Sequence, residues 1–226
     1  MAESSIYTFI VFVLTTLITL WFFLKATKNS KVILAIMIWM VLVGILGFLG
    51  FYRNTEAIPP RFLFLLGPGF LFVLLPFLFP SGRRFMDTLD LKWLTLLHTV
   101  RIPVEFLLYF IFLEGLIPKP MTFEGLNYDI LSGITAPLVY FAIFVKSWMG
   151  KKGLLLWNIL CLLLLFNILT IALLSAETPF QKLAFDQPNI GVAYFPYVWL
   201  PTVIVPIVLF SHLATIRQLL SYQEKL

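Results

Sequence analysis

Seven apolar tracts divide this chain, each close to the ~20 residues that an α-helix needs to cross about 30 Å of hydrocarbon. They run over about 6–24, 32–52, 62–80, 93–113, 130–149, 153–176 and 197–217. The fifth is the shortest, apolar only over residues 130–145, and the stem of Lys146 extends its buried length toward Met149. Nothing between the tracts is long enough to fold as a separate unit; the two longest connections, 114–129 and 177–196, suffice for a turn of helix or a short cap. Transmembrane strands would alternate polar and apolar residues over ~10 positions, and these tracts do not. The expectation is an all-α, polytopic integral membrane protein with one transmembrane domain over residues 1–226. Composition closes off the soluble alternative. The chain is 61% hydrophobic and 12% charged, against roughly 45–50% and about 25% in a soluble domain.

Orientation follows from the basic residues. Met1–Ser5 carries Glu3 and no Lys or Arg, so the first tract lacks the basic start of a signal peptide and reads as a retained span. With the N-terminus outside, the cytoplasmic segments hold Lys25, Lys28, Lys31, Arg83, Arg84, Lys92, Lys146, Lys151, Lys152, Arg217 and Lys225. The outer segments hold only Arg53, Arg61, Lys119 and Lys182. Such a bias predicts seven spans with the C-terminus in the cytoplasm. It also accounts for the net charge of +5 without any nucleic-acid partner. Short loops, and outer loops free of Asn-x-Ser/Thr, agree with a bacterial inner membrane.

The fourth span is the unusual one. At 100° per residue, His98, Arg101, Glu105 and Tyr109 fall within about 80° on one helix face, along roughly 16 Å of axis. Asp90 continues the stripe to the cytoplasmic end, and Pro103 predicts a kink because it removes the bond to the Thr99 carbonyl. An Arg at a span centre costs roughly 2.5–3.5 kcal/mol even on the lenient insertion scale, so the stripe must face protein or water. Two readings follow. In one, Arg101 and Glu105 neutralise each other and pin the helix. In the other, the stripe lines a site for a small ligand, ion or proton, with Arg101 as counter-charge and Glu105 as proton carrier.

His98 and His212 are the chain's two histidines. They lie roughly 9 and 12 Å in from the cytoplasmic ends of their spans, at comparable depth. They complete a ligand-binding set of His98, Arg101, Glu105, Tyr109 and His212. Two histidines at one level also suit axial ligation of a b-type haem, so a haem b redox subunit is the alternative function. A catalytic zinc would want a third ligand, for which Glu105 is the sole candidate. With one cysteine, Cys161, disulfides, CxxC pairs and thiolate zinc sites are excluded.

Lesser features have structural readings. Asn158 and Asn167 lie about 180° apart on the sixth span and act as interhelical glue rather than one site. Gly44, Gly47 and Gly50 permit close helix approach. Gly67-Pro68-Gly69 with Pro76 predicts a broken or bent third span. Asp129 reads as the N-cap of the fifth helix, and Glu114, Glu124 and Asp129 gather negative charge on one outer loop. No GxSxG, HExxH or P-loop pattern is present, so no catalytic residue is assigned. The seventh span contains no Lys for a retinal Schiff base. The expected function is binding or transport of a small ligand, ion or proton at the fourth-span seam. A purely structural or assembly subunit, with a membrane-protein partner or a second copy of itself, is the remaining class.

Overall fold

The computed structural model describes residues 6–54, 57 and 59–221; Met1–Ser5 with Glu3, and Lys225, lie outside the described residues. Nine α-helices are described: α1 (Ile6–Thr27), α2 (Ser30–Phe48), α3 (Leu63–Leu78), α4 (Pro80–Asp87), α5 (Leu91–Leu97), α6 (Arg101–Leu113), α7 (Ile130–Tyr140), α8 (Lys151–Leu174) and α9 (Val205–Ser221). Among the described residues there is no strand, only an isolated bridge between Ala176 and Asn189. The protein is all-α. Five stretches are long and apolar enough to cross a membrane: Ile6–Thr27, Ser30–Phe48, Leu91–Leu113, Lys151–Leu174 and Leu200–Ser221. The bent pair α3–α4 makes a sixth if counted as one span.

Exposure is inverted relative to a water-soluble protein. Ile10, Leu14, Leu17 and Trp21 of α1, Ile38 and Val41 of α2, and Leu156 and Leu163 of α8 all face outward. Inside lie Thr15, Thr16, Thr19, His98, Arg101, Glu105, Asn158, Ser211 and His212. An apolar exterior of this extent fits hydrocarbon, where the polar groups must satisfy one another within the bundle. Helix α9 occupies the middle: 67% of its apolar stretch is buried, against 22% for α2 at the edge. The fourth tract packs beside it, since α5 touches α1, α7 and α9. Gly47 of α2 permits close approach there, because a Cβ at this position would sit 2.7 Å from Val198 Cγ1.

Proline has effects that differ from the sequence expectation. Pro68 and Pro76 lie inside an uninterrupted α3. The bend comes later, at Phe79, where α4 turns 94° from α3. Pro80 opens α4, where its missing N–H is one of the unpaired donors of a helix start anyway. A Cβ on Gly82 would lie 2.4 Å from the Pro76 carbonyl oxygen, so the turn can fold back this tightly only on glycine. At Pro103 the departure from regular α-helix falls in the preceding turn, which contains the Thr99 carbonyl. The chain tightens to a 3-10 turn over His98–Val100 and α6 begins afresh at Arg101, leaving Pro103 in a first turn. The fifth tract is helical over Ile130–Val145, α7 followed by a π-helical turn. A second π-helical turn, Leu200–Ile204, holds Pro201 and leads into α9.

Candidate functional site

The fourth tract is anchored at its basic end by Asp90, whose carboxylate accepts from the Lys92 N–H at 2.9 Å and caps α5. Along α5 and α6, His98, Arg101 and Glu105 are 0%, 2% and 1% exposed. The 3-10 turn changes the local pitch but keeps these three inside. Tyr109 is half-buried and belongs to a separate aromatic group, its ring 5.0 Å from that of Phe123.

Arg101 does not form the pair that its spacing from Glu105 suggests. Its Nη1 lies 2.9 Å from Oδ1 of Asp129, with the side chains 3% and 7% exposed. The same nitrogen donates to the Cys161 carbonyl of α8 at 3.4 Å. A guanidinium this deep needs a carboxylate at contact distance, and the 114–129 connection brings one. Gly133, one turn into α7, makes this possible: a Cβ there would meet Ile102 N at 2.9 Å and Arg101 Cβ at 3.3 Å. Asp129 therefore stands at the N-cap position of α7 but makes no side-chain capping bond; the carboxylate is used on Arg101.

Glu105 is held by Asn127. The Asn127 Nδ2 group donates to Glu105 Oε1 at 2.8 Å and Oε2 at 2.7 Å, and also faces the Met121 carbonyl at 3.0 Å. Asn127 Oδ1 accepts from the Asp129 N–H at 3.0 Å. One buried amide thus holds the Glu105 carboxylate and the Asp129 backbone, and Glu105, Asp129 and Arg101 act on one another electrostatically. Glu105 and Asp129 also border a cavity of about 70 Å³ whose other walls include Val104, Leu165 and Asn189. The acidic 114–129 connection does not work as one cluster. Glu114 accepts from Thr8 at 3.2 Å, Glu124 faces Lys119 at 3.9 Å, and Asp129 turns inward to Arg101. Among the described residues no group of three His, Cys, Asp or Glu is placed to hold a metal.

His98 and His212 are brought together, as their depths predicted. Their rings stack with centroids 3.8 Å apart and planes 15° from parallel. Trp157 of α8 stands edge-on to His98 at 5.5 Å. His212 Nδ1 donates to Asn158 Oδ1 at 2.8 Å, while Asn158 Nδ2 donates to the Leu154 carbonyl. The donor assignment follows because a carbonyl oxygen can only accept. Axial ligation of haem requires a porphyrin between the two imidazoles. Rings in face-to-face contact leave no gap for one, so this arrangement does not fit the haem alternative. Asn158 is therefore more than glue between helices: it orients one of the two histidines. Asn167 points elsewhere, to the Leu126 carbonyl at 2.7 Å.

Hydrogen-bonding capacity is left over at this point of the bundle. His98 Nδ1 and Nε2, His212 Nε2, Thr99 Oγ1, and Arg101 Nε and Nη2 have no partner among the described residues. Arg101 lies near enough to both imidazoles to act on them electrostatically, so Arg101 and the two histidines form one neighbourhood. Each unsatisfied buried polar group costs about 1–3 kcal/mol.

The two long connections, 114–129 and 177–196, are bonded to each other and to the end of α6. The N–H groups of Ile190 and Gly191 donate to the Leu116 carbonyl at 3.1 and 2.7 Å. Gln187 Nε2 donates to the carbonyls of Phe112 and Ile117 at 3.1 and 2.6 Å. A family model described as a domain of unknown function, DUF8737, matches residues 58–220. The chain belongs to this family. The DUF8737 match takes in every residue of the seam, from His98 to His212, and both long connections; α1 and α2 precede it. No curated protein and no solved structure matches the chain.

Of the five residues expected to bind a ligand, His98, Arg101, Glu105 and His212 lie in this buried neighbourhood and Tyr109 lies beyond it. Sequence reasoning missed Asp129 and Asn127 as partners, and Asn158 as the histidine's anchor. The available signal was charge accounting: an Arg inside a span demands a carboxylate, and a helix-start Asp on the neighbouring loop was within reach.

Proposed function

We propose that this protein binds and passes a proton, or a small monovalent cation in its place, along the buried seam His98/His212–Arg101–Asp129–Glu105. The observation that carries this reading is the charge count: two carboxylates, Glu105 and Asp129, share one guanidinium inside the bundle and border the same cavity. Arg101 is already neutralised by Asp129 and so is ill placed to counter an anion. Glu105 is left with an amide for company, which favours a positive guest. The stacked histidines supply proton-exchanging groups at the other end of the seam, and intramembrane ionisable residues are functional by default.

The same reading takes seven spans, with the bent α3–α4 pair and the short Ile130–Val145 helix added to the five long ones. The N-terminus is outside and the basic side cytoplasmic, supported by the eleven-to-four distribution of Lys and Arg. The membrane is then a bacterial inner membrane. In that frame the histidines face the cytoplasmic half, and Asn127 and Asp129 enter from the outer loops.

Proteoliposomes enclosing a pH-sensitive dye, energised by a potassium diffusion potential, test the proposal. Wild type is expected to acidify or alkalinise the lumen several-fold faster than empty vesicles, and E105Q to fall to the empty-vesicle rate. A wild-type protein that conducts neither protons, sodium nor potassium above that background overturns it. So does a double R101L/E105L variant that conducts like wild type.

A further inference from the structure

On the opposite side of α9 from the polar seam lies a second cavity, of about 340 Å³, lined by residues that include Phe23, Trp39, Phe72, Phe85, Val203 and Phe210. Such a volume is at the lower end of ligand sites. Its two polar groups are already used: Trp39 Nε1 donates to the Thr202 carbonyl at 3.2 Å, and Thr202 Oγ1 donates to the Val198 carbonyl at 2.6 Å. The interior therefore recognises hydrocarbon and nothing else. It runs from Val32 to Trp39 along α2, and from Val203 to Phe210 along the last span, roughly 10 Å at 1.5 Å per residue. Ala35 and Phe72, both lining residues, are exposed, so the cavity opens sideways toward the bilayer.

At one end its lining residues adjoin basic ones. Val32 follows Lys31, and Phe85 follows Arg83 and Arg84; all three basic side chains are exposed and none has an acidic partner among the described residues. Helix α4, turned 94° from α3, carries Phe85 and Met86 inward and both arginines outward, as a helix lying along the membrane surface does. The Phe85 ring stacks on Phe210 at 6.3 Å, so the helix that presents the arginines also forms the cavity wall.

We infer that this cavity is a binding site for one anionic phospholipid of the leaflet on the basic side, its acyl chain between α2, α3 and α9 and its phosphate on Arg83, Arg84 and Lys31. A hydrocarbon slot with a lateral opening fits a lipid tail. Unpaired cations at its headgroup end select a negative head, since each basic residue near such a surface favours anionic lipid.

The test uses the full-length protein in nanodiscs of equal phosphatidylglycerol and phosphatidylcholine, with retained lipid read by native mass spectrometry. Wild type is expected to keep one phosphatidylglycerol, at least about five-fold over phosphatidylcholine. R83Q/R84Q, surface changes that leave the helices intact, should bring the ratio close to one. A35W, which fills the slot from its exposed rim, should keep neither lipid while circular dichroism stays unchanged. Retention of no lipid by wild type overturns the assignment, as does equal retention of both, which marks a non-selective annulus. An unaltered ratio in R83Q/R84Q overturns it as well, even if A35W fails to fold.

Discussion

Removing the carboxylate of Asp129 should destabilise the protein far more than removing both members of its ion pair. At 2.9 Å and 3% and 7% exposure, the attraction between Arg101 and Asp129 is about 6 kcal/mol for an effective dielectric of about 20. Desolvating two ions costs several kcal/mol each, so the intact pair is close to neutral in the balance. In D129N the buried guanidinium loses the carboxylate in contact with it, at an expected cost of about 3–5 kcal/mol. R101M/D129L replaces both charges with apolar groups of similar reach and should come within about 2 kcal/mol of wild type. A denaturant titration of purified protein in mild detergent, followed by circular dichroism, measures both.

Glu105 adds a second, sharper arm. It lies one turn along α6 from Arg101 and acts on it electrostatically, so in D129N it becomes the guanidinium's sole remaining counter-charge. E105Q should then cost at least ~1 kcal/mol more in the D129N background than in wild type, since residues of one network couple by about 0.5–3 kcal/mol. Additive costs would refute the shared-guanidinium arrangement. A D129N loss below ~1 kcal/mol would refute the buried pair itself.

The other predictions concern packing and the histidine pair. N158A strips the acceptor from His212 Nδ1 and should cost about 1–3 kcal/mol in the same titration, whereas N167A, on a more exposed contact, should cost clearly less. G133V forces a side chain against Ile102 N and Arg101 Cβ. It should destabilise by at least ~1–3 kcal/mol and lower proton flux together with stability. G82A places a methyl 2.4 Å from the Pro76 carbonyl; the α3–α4 bend must open, read as a longer spin-label distance between α4 and α9.

Membrane embedding and the buried face of the fourth tract were legible because both rest on local rules. Hydrocarbon thickness fixes tract length, and a period of about 3.6 residues puts His98, Arg101 and Glu105 on one side. The comparable depths of His98 and His212 came from the same rise per residue, and the rings do meet. What local rules do not contain is the choice among partners. Glu105 is four residues from Arg101, and helix spacing alone makes them a pair; Asp129 wins because glycine at 133 lets α7 close on α6 and carry its first turn to the guanidinium. The place where proline acts was not legible for a related reason. Its cost depends on which carbonyl it orphans: Pro103 falls in a first turn, where no bond is lost. Pro76 is accommodated within α3, while the sharp turn goes to Phe79, where Gly82 can pass the backbone of α3.

The position of the missed residues bears on how the seam works. His98, Arg101, Glu105, Asn158 and His212 sit on helices whose backbone is fixed by their own hydrogen bonds. Asn127 and Asp129 sit on the 114–129 connection, tied to the rest by Asn127 Nδ2 on Glu105 and by the Leu116, Phe112 and Ile117 carbonyls that receive the second loop. The helix-borne groups alone carry one positive and one negative charge that face each other along α6. Adding the loop brings a second carboxylate and takes the guanidinium away from the first. The loop thus draws Arg101 away from Glu105, and loop and seam must be perturbed together to separate a structural clamp from the proposed conducting seam. Q187A, which frees the second loop from Phe112 and Ile117 without touching any charge, makes that separation. A pure clamp would lose stability alone, whereas a conducting seam would also change its flux.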